Sequence, residues 1–169
     1  MVMTMLVAGG CPPGNATTAP YEGDLRDLYR LPLAGTCVKL LGLHDQVPTG
    51  DWRFIWLSRD PREQGRSHLK FLRVFGHALG DDREVLRRYI AKYATDRAYA
   101  LDLLRTRGHV LTMTYERILA DPRRAAQRLR DEVWPDLDVD AATAVVHRRD
   151  GRCRPDMSVE FALIGCGAS

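Results

Sequence analysis

The sequence predicts an α/β fold with a parallel sheet, and three observations carry that reading. Short β-branched and aromatic runs alternate along the chain with longer segments of helical period. The length of 169 residues suits one domain, and a domain of that size buries roughly 70% of its unfolded surface without a metal or disulfide to hold it. Apolar residues at 45% and charged residues at 28% are ordinary for a globular protein and exclude a disordered chain, a collagen or a coiled-coil rod.

The elements follow in order. Val2–Ala8 is a short apolar segment that suits a helix or a strand, and Gly9–Pro20 is a loop rich in Gly, Pro, Thr and Asn. Tyr21–Leu31 carries Leu25, Leu28 and Tyr29 at helical spacing. Thr36–Leu41 reads as a buried strand, and Arg53–Leu57, with Phe54, Ile55 and Trp56, as a second. Ser58–Arg62 is a polar turn holding Pro61 where a helix can start. Glu63–Leu79 is that helix, ending near Gly80. Asp81 and Asp82 can cap the next helix, whose stripe of Val85, Leu86, Tyr89, Ile90, Tyr93, Leu101 and Leu104 ends at Gly108. His109–Tyr115 is a third strand. Asp121-Pro122 is an N-cap followed by proline at the first helical position, opening a helix that buries Ala125, Ala126, Leu129 and Val133. A short helix from about Val139 to Val146 precedes a tail, His147–Ser169, that is basic at first and then apolar.

Charge and cysteines narrow the function classes. The formal net charge is +3, too small to argue for nucleic acid. Residues 51–169 hold 22 basic groups, but 18 acidic ones are interleaved with them and no DNA-binding motif is present. Twenty-two of the 25 basic residues are Arg. The guanidinium fork suits phosphate and carboxylate, although a GC-rich genome enriches Arg equally well. Cys11, Cys37, Cys153 and Cys166 form no CxxC motif and read as free thiols in a reducing cytosol. No apolar run approaches the ~18 residues of a membrane helix. Ala8-Gly9-Gly10-Cys11 loosely resembles a lipoprotein cleavage box, yet no Lys or Arg precedes it and the apolar stretch is short. A cytoplasmic protein without membrane contact is therefore expected. His68, His77, His109 and His147 show no metal spacing, so no metal is expected and these side chains read as packing or surface residues.

The strongest chemical signal is Leu57-Ser58-Arg59-Asp60-Pro61, followed by Ser67 and Lys70. A strand ends there, a tight turn releases Arg59, and a helix begins. Ligands of open α/β sheets bind just outside the carboxyl ends of strands, so Arg59 is placed for an anion. Ser67, about two turns into the helix, can add a hydroxyl to the same group. The competing reading is that Arg59 pairs locally with Asp60.

The run RFIWLSRDPREQGRSHLK resembles the 3′-phosphate-binding segment of sulfotransferases that use 3′-phosphoadenosine 5′-phosphosulfate (PAPS). In them a strand ends in Arg-Asp-Pro and a Ser follows the Arg by eight positions, the spacing of Arg59 and Ser67. LTMTYERILADPRRAAQRLRDEV resembles the family's strand ending in Tyr-Glu, then a helix and an Asp-Pro-led second helix. MLVAGG, followed by APYEG, resembles the start of a bacterial branch. The resemblance covers roughly residues 1–150. It implies a P-loop-type α/β fold, a parallel sheet flanked by helices in three layers.

The resemblance also implies roles. Arg59 and Ser67 would hold the 3′-phosphate, Tyr115 the adenine, and Arg152, within a basic cluster with Arg148, Arg149 and Arg154, would cover the 3′-phosphate. Lys39 would assist the bridging oxygen. The general base is open. In the family it is often a His two residues after the Lys, where Leu41 stands here. His44 is the first candidate, and Glu22 the second.

The family's phosphosulfate loop would lie just before Met1, so the chain reads as N-terminally truncated, either through a late start codon or as a remnant. Gly9–Gly14 is a poor substitute, because Pro12 and Pro13 remove two N–H donors. A sheet without that strand is expected to recruit Met1–Ala8 in its place or to be marginally stable. The expected function is sulfuryl transfer from PAPS to a hydroxyl of a small molecule or glycan, with a non-catalytic nucleotide- or partner-binding relative as the alternative.

Overall fold

The computed structural model describes residues 1–14, 34–39, 47, 50–74, 76–77 and 80–147. The helix expected over Tyr21–Leu31 and the tail beyond His147 lie outside the described residues. The fold is α/β. Helix α1 (Val2–Ala8) comes first, then strand β1 (Trp52–Ser58), helices α2 (Pro61–Val74) and α3 (Asp82–Arg105), strand β2 (Gly108–Thr114), and helices α4 (Tyr115–Ala120), α5 (Pro122–Glu132) and α6 (Val139–Ala144).

The two strands pair in parallel, with Trp52 opposite Gly108 and Ser58 opposite Thr114. Parallel neighbours cannot be joined by a tight turn. Helices α2 and α3 make the crossover between them. Gly108 is required by this pairing. A Cβ on it would lie 2.1 Å from the carbonyl oxygen of Trp52, a backbone atom that cannot swing away.

Asp-Pro is used twice to start a helix. Asp60 Oδ1 accepts from the amides of Arg62 at 2.9 Å and Glu63 at 3.0 Å, and Pro61 opens α2. Asp121 Oδ1 accepts from the amide of Arg124 at 3.0 Å, and Pro122 opens α5. In both cases the carboxylate satisfies donors that the helix leaves unpaired, and proline occupies a position where no N–H is needed. Asp81 caps α3 and Asp138 caps α6 in the same manner.

One open alternative is decided and two expectations are corrected. Met1–Ala8 adds no strand: Val2–Ala8 is helical, because Val2, Met5 and Leu6 fall on one buried face at helical spacing. The described part of Thr36–Leu41 forms no strand either. It makes a single parallel bridge between Cys37 and Pro13, with Cys37 N–H donating to Pro12 O at 2.9 Å and Gly14 N–H donating to Cys37 O at 2.8 Å. A ladder cannot grow from there, since Pro12 and Pro13 have no N–H to give. Helix α2 stops at Val74, before Leu79. Gly76 takes φ +75°, its N–H donates to Arg73 O and that of His77 to Leu72 O. This pair of bonds is a Schellman stop.

The core joins α1, β2, α4, α5 and α6. Met5, Leu111, Ile118 and Leu129 are fully buried, with Ala126 and Ala142 as the small residues that let the helices approach. Ile55 of β1 packs against this cluster. Leu137 lies over Gly9, and Asp138 N–H donates to Gly9 O at 2.9 Å, tying α1 to the start of α6.

Gly108→Ala is expected to lower stability by about 1–3 kcal/mol, the usual cost of an overpacked site, because the strand pair must separate to admit the methyl group. Urea denaturation followed by circular dichroism measures this, and an unchanged midpoint would disprove the close approach.

Candidate functional site

A cleft of about 420 Å³ opens where both strands end. The parallel register creates it. Ser58 and Thr114 are partners, so the next residues, Arg59 and Tyr115, emerge side by side. The Arg59 guanidinium carbon stands 5.1 Å from the centroid of the Tyr115 ring, a cation–π contact. Further bonds fix the two strand ends to one another: Ser58 Oγ donates to Met113 O at 3.3 Å, and Asp60 N–H donates to Glu116 Oε1 at 3.2 Å.

Arg59 is paired with Glu63 and not with Asp60. Its Nη2 lies 2.6 Å and its Nε 3.1 Å from Glu63 Oε2. Asp60 is engaged in capping α2. The Arg59–Glu63 pair is 40% and 54% exposed, so water screens it, and pairs of this kind contribute about 0–1 kcal/mol. An incoming anion can therefore displace Glu63 at little cost.

Helix α2 supplies the facing side. Ser67 sits two turns after Arg59 and lines the same cleft, with Gln64 one turn before it and His68 beside it. The His68 ring stacks on Tyr89 of α3 at 5.4 Å between centroids, and Tyr89 stacks on Tyr93 at 6.2 Å. Gly65 makes this possible. A Cβ there would meet Leu86 Cδ1 at 2.5 Å and Tyr89 Cδ1 at 2.9 Å, so any larger residue would force these side chains to shift.

The structure thus brings together Arg59, Ser67 and Tyr115, three residues chosen from sequence. The sequence reads His68 as a packing or surface residue and Tyr89 as part of the helical stripe of α3, yet both line the cleft. Helical period revealed the stripe that holds Tyr89 but not the fact that the stripe runs out into a cavity. Lys39 is half-buried, two residues beyond the Pro13–Cys37 bridge, and is not among the side chains lining the cleft. His44, Glu22 and Arg152 lie outside the described residues. Among the described residues no group of three or more His, Cys, Asp or Glu could hold a metal ion, and no helix is long and apolar enough to cross a membrane.

A second cleft, of about 370 Å³, lies at the opposite ends of the strands, beside Asp51, Arg53, His109, Asp131 and Glu132. Several of its charged groups are already paired within the chain. Glu132 accepts from Arg128 Nε at 2.9 Å and lies 3.5 Å from His109 Nε2, and Arg53 donates to Val133 O at 3.3 Å.

Compared with protein-family models, curated proteins and solved structures, the chain finds no match.

Burial raises the phenol of Tyr89 above its ordinary range, with the neighbouring Tyr93 adding to the effect. Burial likewise raises Tyr93, against a lowering by Arg97, with Glu116 raising it further. A folded-state value above the unfolded one means the folded state holds its proton longer. The stability this gives is present below the unfolded value of about 10 and is lost as pH rises through the folded values. The thermal midpoint should therefore fall above about pH 10, and the double variant Y89F/Y93F should show a shallower fall. Equal slopes for the variant and the parent chain would refute this account of the aromatic stack.

Proposed function

We propose that this chain is a PAPS-dependent sulfotransferase of P-loop-type fold, acting on a hydroxyl of a small molecule or glycan. The observation that supports this most is the convergence of Arg59, Ser67 and Tyr115 on one cleft at the carboxyl ends of parallel strands. On this reading the Arg59 fork and the Ser67 hydroxyl take the 3′-phosphate, and the Tyr115 ring takes the adenine. The acceptor oxygen attacks sulfur, the bond from sulfur to the bridging oxygen breaks, and 3′-phosphoadenosine 5′-phosphate leaves. The acceptor proton goes to a base, for which His44 and Glu22 are the candidates. Lys39 would steady the charge on the bridging oxygen, and Arg152 would cover the 3′-phosphate. Catalysis rests on positioning and charge stabilisation.

One observation favours a second reading, a relative that binds the nucleotide without transferring sulfate. Residues 9–14 have no amide to offer a phosphosulfate. Gly9, Gly10, Cys11 and Gly14 already donate to Met5 O, Val7 O, Leu6 O and Cys37 O, and Pro12 and Pro13 have no N–H.

Calorimetry with 3′-phosphoadenosine 5′-phosphate and a transfer assay with labelled PAPS separate the two. Arg59→Ala should weaken nucleotide binding roughly 10- to 100-fold, the equivalent of one lost charge-assisted contact. Glu63→Gln, which frees Arg59, should tighten it by up to about fivefold. Equal affinity for the parent chain and Arg59→Ala removes the site. Binding with no transfer to any hydroxyl acceptor favours the second reading.

A further inference from the structure

The other feature with chemistry of its own is a pair of thiols far from the cleft. Cys11 follows α1, and Cys37 lies 26 positions later in the sequence. The parallel bridge between Pro13 and Cys37 brings the two segments together. Pairing sets Cys37 beside Pro13, two residues from Cys11. The Cys37 thiol donates to Cys11 O at 3.9 Å, and the Cys11 thiol donates to Pro12 O at 3.9 Å. Both are reduced.

The two differ in ways that suit different tasks. Cys11 is buried among the side chains of the core, whereas Cys37 is partly exposed at its edge. The neighbouring Cys11 lowers the Cys37 thiol below its ordinary range, against a raising by burial. Cys37 and burial together raise the Cys11 thiol. A thiolate is the reactive form of cysteine, and an accessible one attacks oxidants first.

We propose that Cys11 and Cys37 form a peroxide-sensitive dithiol, with Cys37 as the attacking thiolate and Cys11 as the resolving thiol. In the first step the Cys37 thiolate attacks one oxygen of hydrogen peroxide. The O–O bond breaks, Cys37 becomes a sulfenic acid, and hydroxide leaves. In the second step the Cys11 sulfur attacks the Cys37 sulfur. The S–O bond breaks and the departing hydroxide takes up the Cys11 proton, so that water leaves and a disulfide remains. Two cysteines are oxidised by two electrons and one peroxide is reduced. A cellular dithiol reverses the reaction, which keeps it compatible with a reducing compartment. The closed ring spans residues 11 to 37, a segment that contains Glu22 and leads to Lys39, and it fastens that segment to α1. This site is independent of the sulfotransferase reading.

The test uses the full chain carrying C153S and C166S, so that only this pair can react. Treated with hydrogen peroxide, the chain should go from two titratable thiols to none. A non-reducing peptide map should contain a Cys11–Cys37 crosslink that dithiothreitol removes. The thermal midpoint of the oxidised chain should rise by roughly 5 °C or more, as expected for a ring of this size. In the C11S version, Cys37 should stop at the sulfenic acid and be trapped by dimedone. In the C37S version, Cys11 should stay reduced. Crosslinks between chains, a sulfinic acid at Cys37 in place of the disulfide, or two intact thiols after treatment would each overturn the proposal. Should C11S fail to fold, the peptide map of the parent chain and the C37S version decide the matter.

Discussion

Everything at the cleft depends on the register of two parallel strands. Because Ser58 stands opposite Thr114, both strands finish at the same level and their next residues are neighbours. A slip of one residue would turn Arg59 and Tyr115 to opposite sides of the sheet. The register is held at one end by Gly108, whose bare Cα admits the Trp52 carbonyl. At the other end the Ser58–Met113 and Asp60–Glu116 hydrogen bonds pin the exits. The crossover then has to return through α2, and that return carries Ser67 to within reach of the same space. Three side chains separated by 56 positions in sequence are thus assembled by one backbone pairing.

The electrostatics of the cleft follow from this geometry. Arg59 comes out between a carboxylate on the helix that follows it and an aromatic ring on the other strand's exit. Asp60, the nearest acid in sequence, is withdrawn from competition because its oxygens cap α2. That leaves Glu63 as an exposed, exchangeable partner. A charge held by a screened pair stays hydrated and ready, whereas a buried pair would have to be broken at a cost of several kcal/mol. The arrangement suits recognition of an anion by exchange.

Local signals in the sequence were read well where one rule acted alone. Asp-Pro marked two helix starts, and the aromatic and β-branched run over Arg53–Leu57 differs from β1 only by one residue at each end. Where two rules compete, the local signal misleads. Thr36 and Val38 favour a strand, but Pro12 and Pro13 on the facing segment remove the donors a ladder would use, and only a bridge survives. Gly80 and Gly76 are both plausible stops for α2, and the choice fell to Gly76, where the chain takes positive φ and both terminal carbonyls find amides. The Arg59, Ser67 and Tyr115 constellation was legible through spacing. His68 and Tyr89 were not, since their role depends on how close Gly65 lets two helices approach, which no single-residue propensity records.

Stability and recognition meet near the carboxyl ends of the strands. Leu111 and Met113 of β2 are buried in the cluster that α1, α4, α5 and α6 complete. Leu57, the partner of Met113, is 43% exposed because it already belongs to the rim of the cleft. Apolar burial therefore anchors the middle of the sheet and reaches Met113, one residue short of the carboxyl end of β2. Beyond it, Arg59 and Tyr115 stand outside the core, so their identities are free to be set by what they bind. The same division explains why Ala126 and Ala142 are small and fully buried whereas Arg59 and Glu63 remain open to water. The core demands shape, and the cleft demands charge at a fixed position. The register of β1 against β2 is where the two demands meet, because one set of backbone hydrogen bonds serves both.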